Sequence, residues 1–313
     1  MRYLGDMKEG ENVTDIYLCS DRQKLKTRAG KTYLSVKLQD KTGVGDAKIW
    51  DMSDGIGDFQ KGDYIMVDAS VVSFQGNNQF NIRRLRVAEA SEYDPTDYVP
   101  SSEFDIEEMF AEFVTYIDEM EDQWLKRLAS EFFIFDKPFI EGFKAHSAAK
   151  TVHHAFYGGI LEHTLGMLRL AKFVADQYPI MNRSLLYAGT MFHDMGKLKE
   201  LSDFPIIDYT DEGQLVGHIV IGIEWLTEKI KTIEGFPVAL SNQLKHMILS
   251  HHGELAYGSP KKPELIEAIA LHYIDNIDAK IKTFSTMLDA ADQQDDWIGY
   301  QRLFETSLRR TRW

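Results

Sequence analysis

Several things are scarce in this sequence, and each scarcity narrows what it can be. One cysteine, Cys19, in 313 residues excludes a disulfide framework and any cysteine-rich zinc site. No window approaches the ~18 uninterrupted apolar residues of a membrane-spanning helix. The opening stretch MRYLGDMKEGENVTDIYLC lacks the apolar core and small-residue cleavage site of a secretory signal. A cytoplasmic protein without a membrane partner is the expectation. Positive charge is also short: 35 Lys and Arg face 49 Asp and Glu, a net charge of −14. That balance argues against indiscriminate duplex binding, whose affinity comes from neutralised phosphates, but not against a local basic groove or a metal-centred phosphate site. Histidine is absent from the first 145 residues, all ten lying between His146 and His272.

What is present is unevenly spread. Hydrophobic residues at 44% and charged residues at 27% are ordinary for a folded chain with a core, and the length favours two domains over one. Residues 1–90 hold 14 Lys and Arg against 13 Asp and Glu, leaving 21 against 36 for the rest. The first part reads as short strands. Thr14–Leu18, Thr32–Leu38, Gly45–Trp50, Tyr64–Phe74 and Gln79–Val87 carry alternating, β-branched and aromatic patterns broken by the turns QDKTG, KGD and QGNN. Five strands in so short a span predict a small Greek-key barrel of the OB type over residues 1–90. Residues 91–104, with two of the eight prolines, read as a linker.

From Asp105 the spacing of apolar residues becomes helical, and residues 105–313 are expected to form an all-α bundle, the whole chain being a multidomain α+β protein. Ile160–Tyr178, Arg183–Asp194, Gly213–Ile230, Val238–Ser250 and Glu264–Asp289 are the clearest helices. Gly196 and Gly253 stand where left-handed caps would end two of them.

The most informative residues are His163 in ILEHTLG, His193–Asp194 in MFHDMGK, His218 in LVGHIVIG, His251–His252 in LSHHGE and Asp275 in HYIDNIDAK. Each lies on or at the end of a different helix, so one bundle can aim them at a common centre. Imidazole with carboxylate suits Mn, Fe, Zn, Co or, with more oxygens, Mg, and an adjacent His–Asp pair makes a binuclear site feasible. Any one of these histidines alone is as well explained as a core residue. Lys197 can bring a cation to a phosphate or answer a helix dipole. Asp278 can support the same centre or pair with Lys282 at i,i+4.

In order, H…HD…H…HH…D resembles the HD-domain metal-dependent phosphohydrolases. The resemblance implies a helical fold, a divalent metal centre of one or two ions, and action on phosphate esters. It makes His163, His193, Asp194, His218, His251 or His252, and Asp275 the ligands, with Asp194 bridging. Asp194 and Lys197 are the residues expected to be catalytic. Over nearly the whole chain, with AAKTVHHAFYGGILEHT, EGQLVGHIVIG and LHYIDNIDAK, the sequence is similar to the YhaM-type 3′→5′ exoribonucleases. That similarity implies single-stranded RNA, or DNA, held by the barrel and shortened from its 3′ end, with manganese the favoured ion. Homo-oligomerisation stays open.

Barrels of this type bind strands with stacked aromatics and basic residues tracking the backbone. Candidate contacts are Tyr33, Trp50, Phe74 and Phe80, with Lys24, Lys26 and Arg28 in a first long loop and Arg84 on the last strand. For each aromatic the barrel core competes as an explanation. His153 and His154 are candidates for contacting the substrate phosphate. Two other functions fit less well. One is a phosphodiesterase or nucleotidase on small nucleotides, whose barrel recruits a partner; the other is a non-enzymatic single-strand-binding module.

Overall fold

A computed structural model describes the chain except residues 28, 53–54, 75–76, 151–153, 293 and 313, and the side chain of 290. The chain forms two compact units, Met1–Glu103 with Ser202–Asp208, and Phe104–Leu201 with Tyr209–Trp313. The sequence pattern assigns residues 202–208 to the helical part. In the structure Ile206 of that segment packs with Tyr64, Tyr93 and Tyr98 beside Ile16 and Leu18. Tyr93 stacks on Tyr64 with ring centroids 3.9 Å apart. The stretch 91–104 is therefore partly an apolar cover of the first unit rather than a plain linker.

The first unit is a closed barrel of five strands, β1 (Asn12–Lys26), β2 (Thr32–Asp40), β3 (Gly43–Ile49), β4 (Tyr64–Phe74) and β5 (Asn77–Val87), in the order β1-β2-β3-β5-β4. β3 and β5 pair in parallel and the other neighbours antiparallel, which is the Greek-key arrangement of an OB-fold. Strict alternation sets the core. In β2, Leu34, Val36 and Leu38 are buried while the residues between them are not, because successive side chains point to opposite faces. Phe80, 1% exposed, fills the barrel interior; an added Cβ at Gly45 would meet its ring at 2.8 Å. The expected stacking role of Phe80 is thus corrected to a core role. β1 is also longer than expected. Its charged end pairs with β2, Lys24 opposite Leu34 and Lys26 opposite Thr32, so Lys24 and Lys26 stand on a strand and not in a loop.

The second unit is built from ten helices among the described residues: α1 (Ile106–Asp118), α2 (Gln123–Phe133), α3 (Lys137–Ala145), α4 (Gly159–Gln177), α5 (Arg183–Phe192), α6 (Lys197–Glu200), α7 (Asp211–Leu215), α8 (His218–Lys231), α9 (Val238–Ser250) and α10 (Ile266–Ala290). Side-chain caps start several of them: Asp105, Asp122 and Asn182 accept from the first free amides of α1, α2 and α5. α5 is buried from Ser184 to Phe192 and forms the central post of an aromatic-rich core with Phe113, Phe133, Phe143 and Phe192. Among the described residues no helix is long and apolar enough to cross a membrane.

Three expectations need correction here. The segment Gly213–Ile230 is not one helix: the chain breaks at Gly217, which has φ +80°, and α8 begins at His218. Gly196 is right-handed, φ −65°. Its missing side chain serves close approach, since a Cβ there would lie 2.0 Å from the His218 carbonyl oxygen. The unit also ends in a hairpin, β6 (Trp297–Gln301) with β7 (Thr306–Arg309), which helical spacing could not announce.

Phe80→Ala should lower the stability of the barrel by ~3–5 kcal/mol, the usual cost of removing a buried phenyl ring. Denaturant melts of the purified variant measure it, and a loss under about 1 kcal/mol would return Phe80 to the surface.

Candidate metal centre

Five helices deliver the site. α4 carries His163 in its first half, α5 ends so that His193 and Asp194 follow directly, α8 opens with His218, α9 ends so that His251 and His252 follow, and α10 carries Asp275. His163, His193, Asp194 and His251 are all buried. Among the described residues the donor atoms form three groups of three, His163–His193–Asp275, His218–His251–His252 and His154–His163–Asp278, each spanning no more than 4.8 Å; the first two face Asp194.

Asp194 touches those two groups with different oxygens. Its Oδ2 lies 3.2 Å from His193 Nε2 and 3.7 Å from His163 Nε2. Its Oδ1 lies 3.5 Å from His218 Nε2 and 3.8 Å from His251 Nε2. Asp275 Oδ1 is 3.5 Å from His163 Nε2, and Lys197 Nζ sits 2.7 Å from Asp194 Oδ2. Both His251 and His252 belong to the cluster, their rings 4.2 Å apart.

What the other ring nitrogens do decides the donor chemistry. His193 Nδ1 donates to the Thr190 carbonyl at 2.8 Å, His251 Nδ1 to that of Ile248 at 2.7 Å and His252 Nδ1 to that of Tyr257 at 3.0 Å. A carbonyl only accepts, so each Nδ1 holds a proton. His251 and His252, whose pKa values burial lowers, then turn a lone pair inward at Nε2, while His193 Nε2 shares a proton with His163 Nε2 at 3.3 Å. His163 Nδ1 meets Asp278 Oδ2 at 2.7 Å, and His218 Nδ1 meets Glu200 Oε1 at 2.9 Å. Glu200 Oε1 also takes the His218 amide at 2.9 Å, so one carboxylate starts α8 and orients its first side chain. This is how metal-ligating histidines are commonly fixed.

The inward atoms fit a divalent cation. Asp194 Oδ1, His218 Nε2 and His251 Nε2 are buried and have no hydrogen-bond partner. Leaving such atoms without a partner costs free energy unless something binds there. Electrostatics agree. Burial alone would raise the Asp194 pKa, but His193, Lys197 and His218 hold it well below the ordinary carboxylate range. Burial pulls the Lys197 ammonium down, and Asp194 more than restores it. Burial, with His252 and His193 adding to it, pushes His251 well below its usual value, and burial lowers His252 as well. For His193 burial is outweighed by Asp194, which raises its pKa; a bound cation would take the place of that proton.

Other expected residues fall elsewhere. His154 is 4% exposed and its Nε2 is 3.0 Å from Asp278 Oδ2, so it is buried against the carboxylate that also holds His163. His153 and Arg28 lie outside the described residues. Lys282 pairs with Glu162 at 2.8 Å, which leaves Asp278 to His163 and His154. Burial would raise the Asp278 pKa, and those two hydrogen bonds hold it far below the carboxylate range instead. Glu200 was missed by sequence reasoning, because nothing in MGKLKEL distinguishes it from a solvated helix-end carboxylate.

In the barrel unit, Tyr33 and Trp50 stack at 4.9 Å on the face opposite Leu34 and Val36, and Trp50 Nε1 donates to Asn81 Oδ1 at 2.9 Å. Phe74, Lys24, Lys26 and Arg84 are exposed.

The comparisons with known proteins agree with this geometry. The HD domain family model matches residues 160–280, the span from α4 into α10, so fold and site define an HD-domain protein dependent on a divalent metal. The relatives are more particular. The chain is 39% identical to the 3′-5′ exoribonuclease YhaM of Listeria innocua, over 91% of this chain and 90% of that protein. It is 37% identical to the 3′-5′ exoribonuclease YhaM of Bacillus subtilis, over 90% and 88%. The chain belongs to the YhaM family.

Asp278→Asn should weaken divalent-metal binding about 10–100-fold while the helical signal persists, as removal of a ligand's outer partner commonly does. Calorimetric titration of the metal-stripped protein measures it. Unchanged affinity would make the Asp278–His163 contact incidental.

Proposed function

We propose that the chain is a metal-dependent 3′→5′ exonuclease of single-stranded RNA. The observation that carries the reading is Asp194, a buried carboxylate reaching two histidine groups in a chain similar along nine-tenths of its length to 3′-5′ exoribonucleases. His163, His193 and Asp275 would hold one ion, His218, His251 and His252 another, and Asp194 both. Imidazole and carboxylate together suit manganese, iron, zinc or cobalt, and magnesium with more oxygens; manganese is the ion this reading favours. A divalent ion here supplies Lewis acidity toward phosphoryl oxygens and lowers the pKa of water.

The protein's own groups do the rest. Asp194 stays ionised because cations surround it. The Nδ1 bonds of His193, His251 and His252 keep their rings in the donor tautomer before substrate arrives, so little reorganisation remains for the reaction. Lys197, with its ammonium beside Asp194, would meet the negative charge that grows on the phosphate oxygens. In the barrel, the stacked Tyr33–Trp50 pair would hold bases, with Lys24, Lys26 and Arg84 along the backbone. Cytoplasmic RNA is the substrate pool in this reading.

A 5′-labelled single-stranded RNA incubated with Mn²⁺ should give a descending ladder that chelator abolishes. Asp194→Asn should remove it, and Trp50→Ala should raise KM on long RNA by about tenfold, within what a base–aromatic contact contributes. A 3′-phosphate should slow the ladder. Cuts in a circular strand, or loss of nucleotides from the 5′ end first, would overturn the reading.

A further inference from the structure

Beside the donor cluster lies a cavity of about 400 Å³, within the range of small-molecule sites. His252 and Asp275 belong to both, so the cavity opens where the phosphate would be held. Its remaining wall is of a different kind. Along α10, Asn276, Ala279, Lys280 and Thr283 line one side; Tyr257 comes from the turn after α9, and Leu303 and Phe304 come from the tip of the β6–β7 hairpin. Most of the exposed wall is apolar, an odd environment for a place meant only for phosphate and water.

The tip is held firmly in place. Phe304 packs edge-on against Phe284 of α10 with centroids 5.4 Å apart. Arg310, just past β7, donates to the Ala291 carbonyl at 3.1 Å and to that of Leu288, satisfying the end of α10. Leu308 is buried. The opposite wall is equally constrained: Gly253 has φ +79°, and a Cβ there would meet the His272 ring at 2.3 Å. The chain after His252 therefore runs tight against α10, which brings Tyr257 to the rim.

We infer that this cavity receives the 3′-terminal nucleoside of the strand, its base between Tyr257 and the hairpin tip at Leu303 and Phe304, so that the C-terminal hairpin is part of the substrate site. The inference rests on the exonuclease reading and adds the occupant of its innermost position. An apolar, aromatic wall recognises the flat face common to all four bases, so the selection is for a base rather than for a sequence. Such a pocket also positions the last linkage over the donor cluster, because the sugar fixes the distance from base to phosphate.

The test compares 5′-AMP with ribose 5-phosphate, which keeps the sugar and phosphate but has no base. Binding of each to the full-length, Mn²⁺-loaded protein is measured by calorimetry. 5′-AMP should bind at least about tenfold tighter than ribose 5-phosphate, as a base–aromatic contact provides. Phe304→Ala and, separately, Tyr257→Ala should shrink that ratio, chiefly by weakening 5′-AMP. Tyr257 is 67% exposed, so its variant tests the pocket even if Phe304→Ala loosens the hairpin. Equal affinity of the two ligands for the wild type, or a ratio untouched by Tyr257→Ala, would overturn the inference. A wild type that gives the RNA ladder without this base dependence would sink the pocket and spare the exonuclease reading. Base-dependent binding without a ladder would do the reverse.

Discussion

A carboxylate 3% exposed to solvent keeps its negative charge only if positive charge is built around it. Asp194 is in that position, and much of the helical unit is arranged to satisfy it. One oxygen faces His193, His163 and Lys197; the other faces His218 and His251. Buried ionised groups are costly unless paired or bound to metal. Lys197 offsets part of that cost on one side, while the other oxygen has no hydrogen-bond partner. A divalent cation bound at that oxygen would resolve the imbalance.

The bundle follows from this requirement. A residue buried at the end of α5 needs neighbours from several directions, and α4, α8, α9 and α10 supply them. Each histidine of the site then needs its imidazole turned the right way, which explains the ring of outer acceptors: carbonyls of Thr190, Ile248 and Tyr257, and carboxylates of Asp278 and Glu200. The two carboxylates do further work in the fold. Glu200 starts α8, and Asp278 joins α10 to α4 and to His154. Removing either would disturb the helix packing as well as a ring orientation.

Much of this centre was legible in the sequence, because His163, His193, Asp194, His218, His251, His252 and Asp275 each sit in a local pattern that fixes them to a helix or its end. What escaped depended on partners far along the chain. For His154 the sequence leaves a phosphate contact and a structural role equally open, and only the approach of Asp278, 124 residues away, turns it inward. The break at Gly217 escaped because apolar spacing runs through it, whereas the Glu200 cap decides where α8 starts. Lys24 and Lys26 were read as loop because charge masks a strand whose partner, β2, supplies the pairing. Phe80 was different, since the sequence did hold the answer. It shares parity with Ile82, and both are buried; Tyr33 has the opposite parity to Leu34 and Val36, and it faces outward.

The central claim is that Asp194 holds two ions at once. Anomalous diffraction at the manganese edge, from crystals grown with Mn²⁺, measures it directly. Two peaks are expected, one within coordinating distance of Asp194 Oδ2 and His193 Nε2, the other of Asp194 Oδ1 and His218 Nε2. A single peak, or two peaks that leave Asp194 uncoordinated, would contradict the claim.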